Sequence, residues 1–77
     1  MAQYKYGNLL AQNNHEAFDT ELTPGTIAPN SGIYRCTACG DENACNKGNP
    51  LPPQNHKQHS PSQGAIRWKL LVFAVQN

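Results

Sequence analysis

The sequence predicts a small, mostly β domain built around a bound metal ion, and three observations lead to that class. The chain has 77 residues, of which 38% are apolar, and a chain this short buries only about 60% of its unfolded surface. Its regular segments have the length and apolar alternation of short strands. Two ligand pairs, Cys36-x-x-Cys39 and His56-x-x-His59, lie between these segments. We therefore predict about three short antiparallel strands, two metal-binding knuckles and long loops.

The first 22 residues differ from the rest of the chain. They are polar and rich in Asn and Gln, and their apolar residues follow no clear period. We predict an N-terminal tail over 1–22, partly docked through its aromatic side chains, and a domain over 23–77. His15 lies in this tail, and a lone histidine in a polar segment is expected to be solvated.

Two turns and a strand precede the first ligand pair. Pro24 and Gly25 predict one turn, and the Pro-Asn-Ser-Gly run at 29–32 predicts another. Residues 33–36 are rich in β-forming side chains and follow Gly32, so we predict a short strand that ends at Cys36.

The chain then returns toward the second ligand pair. Residues 41–47 are predicted as the return strand, and 47–50 as a turn. The Leu-Pro-Pro run at 51–53 is expected to be extended, because proline fixes its own φ and biases the preceding residue away from helix. This stiff segment leads directly to His56.

The last strand is predicted over 66–75. Strict alternation would place every second residue on one apolar face: Ile66, Trp68, Leu70, Val72 and Ala74. The other face is charged at first and becomes apolar at Leu71, Phe73 and Val75. A strand end that is apolar on both faces indicates a cover, either the N-terminal segment or a second subunit.

The first ligand pair has a specific geometric requirement. Two thiolates three positions apart bind one ion only if the backbone folds sharply between them, and Gly40 directly after Cys39 can adopt positive φ. Backbone N–H groups in such a turn point at the sulfur atoms and offset their charge. Cys36-x-x-Cys39-Gly40 therefore predicts a metal-binding knuckle.

The second pair completes a zinc site. Sixteen residues separate Cys39 from His56, and two thiolates with two neutral imidazoles form a tetrahedral set that suits Zn²⁺. We predict one structural zinc ion per chain, held by Cys36, Cys39, His56 and His59. Cys45 is the alternative fourth ligand, in a Cys3His site, or a small buried apolar residue.

Charge and cysteine content restrict the function. The formal charge is +1 and no segment concentrates Lys or Arg, so composition does not indicate nucleic-acid binding. Three cysteines cannot all pair within one chain, and we see neither a signal peptide nor an apolar run of membrane-spanning length, which favours a reducing cytoplasm. The five carboxylates form no catalytic arrangement, and no enzyme is predicted.

Several short motifs between 23 and 72 resemble the small bacterial zinc-ribbon proteins of rubredoxin-like type. The resemblance is carried by Thr23-Pro24-Gly25, Ala28-Pro29, Ser31-Gly32-Ile33-Tyr34-Arg35-Cys36, Cys39-Gly40, Lys47-Gly48, Leu51-Pro52-Pro53 and Ile66-Arg67-Trp68. It implies a ribbon fold and a bound metal, with no particular activity. Such relatives commonly have a second Cys pair where this chain has His56 and His59, which weakens the analogy to iron electron transfer.

These features predict a structural zinc ribbon that acts by binding another protein. The apolar end of the last strand is the expected contact surface, and it could also form a homodimer. One alternative is nucleic-acid binding through a small basic and aromatic face, formed by Tyr34, Arg35, Lys57, Arg67, Trp68 and Lys69. A further alternative is a rubredoxin-like iron electron carrier that uses the same ligands.

Overall fold

The described residues form one antiparallel sheet of four strands. A computed structural model describes residues 1–52 and 65–75. Its strands are β1 (Glu21–Leu22), β2 (Gly32–Cys36), β3 (Glu42–Cys45) and β4 (Trp68–Phe73), in the spatial order β1-β4-β2-β3. Two single-turn 3₁₀ helices, Gly7–Leu9 and Glu16–Phe18, precede β1. The predicted small, mostly β, antiparallel class is therefore confirmed.

The three predicted strands are present: β2 begins one residue earlier than predicted, at Gly32, whereas β3 and β4 are shorter than predicted, and β1 is an addition. It pairs Glu21 with Lys69 and Leu22 with Trp68, along the outer edge of β4. Two residues are too short for the apolar alternation by which strands are recognised in a sequence. The predicted turns at Pro24 and Gly25 and at 47–48 are present as well.

The core lies on one face of this sheet. Its buried residues come from all parts of the chain between the first turn and β4: Ala28, Tyr34, Cys36, Leu51, Trp68 and Leu70. Phe18 and Leu22 pack against this cluster, so the end of the N-terminal segment contributes to the core. Trp68, the largest of the fully buried side chains, lies directly opposite Cys36 across the β2–β4 pair.

A β-bulge changes the predicted faces of β4. Tyr34 pairs with Leu70, but Ile33 pairs with Val72, so Leu71 is an extra residue in β4. Val72 therefore lies with Ile33 and Leu71 on the face of the sheet opposite the core, here called the open face. All three residues line one cleft there. The expectation that Val72 shares a face with Trp68 and Leu70 was wrong for this reason.

The N-terminal residues partly cover the open face. Met1, Ala2, Gln3, Tyr4 and Leu10 form the other wall of the cleft that Ile33, Leu71 and Val72 line. Phe73 and Val75 remain 46% and 77% exposed. The apolar end of β4 is thus only partly covered by the described residues.

The Tyr34 hydroxyl allows a direct test of the core. It donates to the Asn30 carbonyl oxygen at 2.6 Å and accepts from the Asn30 N–H at 3.3 Å, and Tyr34 is buried. We expect Tyr34→Phe to lower the free energy of unfolding by about 1–2 kcal/mol, because both Asn30 groups lose their partner. Urea denaturation measures the change.

Tyr6→Phe is the matched control, since Tyr6 is 57% exposed. We expect a change within about 0.5 kcal/mol for this surface substitution. Equal effects of the two substitutions would contradict the assigned role of the Asn30 contacts.

Candidate metal centre

The first knuckle is a tight turn that closes the β2–β3 hairpin. Cys36 is the last residue of β2, and its N–H donates to the Asp41 carbonyl oxygen at 2.8 Å. The Gly40 N–H donates to the Cys36 carbonyl oxygen at 2.8 Å, and Gly40 has φ +80°. This is the positive φ that the sequence predicted at Gly40, and it folds the backbone back beside Cys36.

The Cys36 sulfur is surrounded by donors. It accepts hydrogen bonds from the backbone N–H groups of Cys39, Ala38 and Arg67 and from the Cys39 thiol. Burial, the largest single influence, opposes ionisation, but these donors together outweigh it and lower the pKa of Cys36 to about 6. The thiolate, which is the form that binds metal, is therefore favoured at neutral pH.

Arg67 links the knuckle to β4. Besides its N–H contact to Cys36, its carbonyl oxygen accepts from the Thr37 N–H at 2.9 Å. Both contacts use backbone atoms, so no side-chain pattern in the sequence could have indicated them. They fix the knuckle against the start of β4.

Trp68 anchors the other side of the site. Its ring is fully buried, and its Nε1–H donates to the Pro52 carbonyl oxygen at 3.0 Å. Because Trp68 pairs with Cys36, the two side chains lie on the same face of the sheet. The bond from Trp68 therefore holds Pro52 on that face.

Arg35 packs over the knuckle from the open face. Its guanidinium group lies 2.9 Å from the position that a Cβ atom on Gly40 would occupy. Its Nη1 also forms a 3.1 Å ion pair with Glu42, directly opposite in β3. The side chain therefore braces the two strands that the knuckle joins.

Only half of the predicted ligand set lies in the described part of the chain. Cys36 and Cys39 are close to each other there, with Cys36 fully buried and Cys39 half-buried. His56 and His59 fall in 53–64, outside the described residues. Within 1–52 and 65–75, no group of three or more His, Cys, Asp or Glu side chains is placed to hold a metal ion.

Cys45 lies away from the knuckle. It pairs with Gly32, at the opposite end of β2 from Cys36, and four residues of strand separate the two positions by roughly 13 Å. Sulfur ligands of one zinc ion lie less than about 5 Å apart, since each Zn–S bond is about 2.3 Å. The register therefore argues against Cys45 as the fourth ligand.

The Cys45 thiol has contacts of its own. It donates toward the carbonyl oxygens of Asn49 and Pro50, at 3.6 and 3.7 Å. Burial raises the pKa of Cys45, which keeps it a neutral thiol. It is the last residue of β3, whereas the sequence interpretation placed it in mid-strand.

The basic and aromatic face that was predicted as an alternative nucleic-acid binding site does not form as predicted. The rings of Tyr34 and Trp68 are 1% and 0% exposed, so neither can stack on a base. Arg35 and Lys69 pair with each other across β2 and β4, on the opposite face of the sheet. Lys57, also in that set, lies outside the described residues.

Comparison with known proteins adds one relative. Protein L of Escherichia coli is 59% identical to this chain over 53 residues, which are 69% of this chain and 60% of that protein. The chain thus spans less than two thirds of the length of that relative, whose name states no activity or ligand. No protein-family model matches the chain. No solved structure matches it either.

Within the described residues, no helix has both the length and the apolar character needed to cross a membrane.

Proposed function

We propose that this chain is a structural zinc module of the rubredoxin-like ribbon type that serves protein–protein interaction. Cys36, Cys39, His56 and His59 hold the ion, and the apolar end of β4 is the contact surface. The observation that carries the proposal is the Cys36 sulfur, which three backbone N–H groups from two separate segments prepare as a thiolate. Such donors offset the charge of a metal-bound sulfur.

The chain connections support a role for the two histidines. Pro52 is held by the ring of Trp68, which pairs with Cys36, and the Arg67 N–H contacts the Cys36 sulfur, so the described residues before and after the segment are both connected to the β2–β4 pair. His56 is four residues from Pro52, and four extended residues span up to about 14 Å. His59 is eight residues from Arg67, which allows twice that distance. Both imidazoles can therefore reach an ion bound to Cys36 and Cys39.

The donor set favours zinc in a structural role. Two thiolates and two neutral imidazoles suit Zn²⁺ and leave the loaded site close to electrical neutrality. Four protein ligands leave no open position for substrate or water, so the proposed site is not catalytic. A reducing compartment such as the cytoplasm would keep the three cysteines as thiols.

The small core makes a stabilising ion important. Among the described residues, six form the buried apolar cluster, and domains of this size commonly require a metal, disulfides or oligomerisation. Zinc contributes about 10–16 kcal/mol of apparent binding free energy in small zinc-binding peptides. This is comparable to the entire stability of a typical domain.

Native mass spectrometry with elemental analysis tests the zinc assignment. We expect one zinc ion per chain, released on denaturation, and we expect His56→Ala/His59→Ala to lose it. His15→Ala is the matched control, because His15 lies in the N-terminal segment, where its ring accepts a hydrogen bond from the Ala17 N–H at the start of a 3₁₀ turn. This variant should keep full zinc content.

Three outcomes would contradict the assignment. Iron in place of zinc would favour the electron carrier. Full zinc retention by the double histidine variant would remove His56 and His59 from the ligand set. A folded chain without metal would overturn the zinc module as a whole.

A further inference from the structure

A cleft lies between the open face of the sheet and the N-terminal segment. Ile33, Leu71 and Val72 form its floor, and Tyr4 and Leu10 stand on its other side. Its volume is about 520 Å³, within the range of roughly 300–1,000 Å³ that small-molecule sites occupy. Most of the side chains that line it are apolar. The cleft therefore suits the hydrocarbon part of a ligand.

Two cationic side chains lie where this cleft meets a second hollow on the same face. Arg35 lines the cleft itself, and Lys69 is directly opposite Arg35 on β4. Both also line the second hollow, together with Phe18, Thr37 and Leu71. Because Arg35 and Leu71 border both spaces, the apolar floor continues directly to the two cations.

The carboxylates near these cations leave one of them without an ion pair. Glu42, opposite Arg35 on β3, pairs with its Nη1 at 3.1 Å. Glu21 is opposite Lys69 on β1, but its carboxylate accepts from the Thr37 hydroxyl at 3.3 Å. Within the described residues, the Lys69 ammonium group forms no ion pair. Like charges directly opposite each other on neighbouring strands are destabilising, so an anion between Arg35 and Lys69 would relieve their repulsion.

The order of charges across the sheet favours an anion at this point. The two carboxylates belong to the outer strands, and the two cations belong to the inner strands. With strands about 4.8 Å apart, the midpoint between β2 and β4 is about 2.4 Å from each cationic strand and about 7 Å from each acidic strand. Attraction by the cations therefore exceeds repulsion by the carboxylates. Arg35 also has N–H donors besides the one on Nη1 that contacts Glu42.

We propose that the open face binds a small amphiphilic anion. Its acidic head group lies between Arg35 and Lys69, and its hydrocarbon chain lies along Ile33, Leu71 and Val72. A carboxylate on an unbranched alkyl chain has this chemistry. The site goes beyond the proposed interaction module and uses none of the zinc ligands. Both parts of the ligand are required, because the cations provide no contact for a hydrocarbon and the cleft floor provides none for a charge.

Titration of the zinc-loaded full chain with octanoate, followed by the backbone amide signals in heteronuclear NMR spectra, tests the proposal. We expect saturable shifts at Ile33, Leu71 and Val72, with a Kd of about 0.1–1 mM for a ligand of this size. Octanol has the chain without the charge and should bind at least about threefold more weakly. Acetate has the charge without the chain and should cause no saturable shift at these residues.

Two pairs of variants separate the head-group contact from the chain contact. Lys69→Gln should raise the Kd for octanoate about threefold to tenfold, whereas Lys47→Gln makes the same change at an exposed turn outside the cleft and should have no effect. Leu71→Ser should weaken binding of octanoate and octanol alike, because it removes part of the floor. Val75→Ser replaces an apolar residue that is 77% exposed and does not line the cleft, so it should affect neither ligand. Circular dichroism confirms that each variant is folded.

Several results would overturn the site. Equal Kd values for octanoate and octanol, or equal effects of Lys69→Gln and Lys47→Gln, would show that the two cations do not hold the head group. Amide shifts confined to residues 36–40 would place octanoate at the knuckle instead of the open face. The absence of saturable shifts at the cleft floor would contradict the proposal directly.

Zinc content is measured on the same samples, so the two proposals are separable. A zinc-loaded chain that does not bind octanoate contradicts only the ligand site. A folded, zinc-free chain that binds octanoate at the cleft floor contradicts the zinc module and supports the ligand site.

Discussion

Cys36→Ser should abolish zinc binding and folding together. Cys36 is fully buried and pairs with Trp68 across β2 and β4, and its sulfur accepts hydrogen bonds from three backbone N–H groups. A serine hydroxyl can accept those hydrogen bonds, but it is not a thiolate ligand. Because zinc contributes about 10–16 kcal/mol in comparable small domains, we expect near-complete loss of zinc and no cooperative unfolding transition. Native mass spectrometry and thermal melts followed by circular dichroism measure both.

Cys45→Ser is the matched control for this experiment. The chemical change is identical, but Cys45 lies at the far end of the β2–β3 hairpin and donates to backbone carbonyl oxygens, which a hydroxyl can also do. This variant should keep one zinc ion and a cooperative melt. Removal of zinc from the wild-type chain by a chelator should reproduce the loss of structure seen with Cys36→Ser.

Two results would refute this account. A folded, zinc-free Cys36→Ser chain would show that the metal does not hold the domain together. Loss of zinc in Cys45→Ser would restore the Cys3His site, against the strand register.

The parts of the fold that the sequence predicted are those with strong local signals. The strand ending at Cys36 follows a glycine and is rich in β-formers, and the turn at Pro24 and Gly25 has the residues that its geometry requires. At the site, Gly40 after Cys39 indicated the positive φ that the knuckle adopts. In each case a few neighbouring residues determine the local backbone.

The features that were missed depend on distant segments. β1 has two residues and exists because β4 offers an edge at Trp68 and Lys69. The bulge at Leu71 lies within an uninterrupted apolar run, where nothing distinguishes an extra residue from regular alternation. The Arg67 N–H contact to Cys36 uses a backbone atom that every residue except proline carries. Such features follow from strand pairing, which a single sequence does not specify.

Gly32→Ala should be among the most destabilising single substitutions in the described part of the chain. A Cβ atom at Gly32 would overlap the Val72 carbonyl oxygen and lie 3.1 Å from the Val72 carbonyl carbon. The backbone has little room to move, because Gly32 lies between Cys45 of β3 and Phe73 of β4. We expect a loss of about 3 kcal/mol or more in the free energy of unfolding, measured by urea denaturation of the zinc-loaded chain.

Gly48→Ala separates this steric effect from the general cost of replacing a glycine. Gly48 has φ +91° and no atom within 4 Å of the added Cβ, so only the backbone conformation is penalised. That penalty is about 1–2 kcal/mol. If Gly32→Ala costs no more than Gly48→Ala, β2 and β4 do not approach as closely at Gly32 as described.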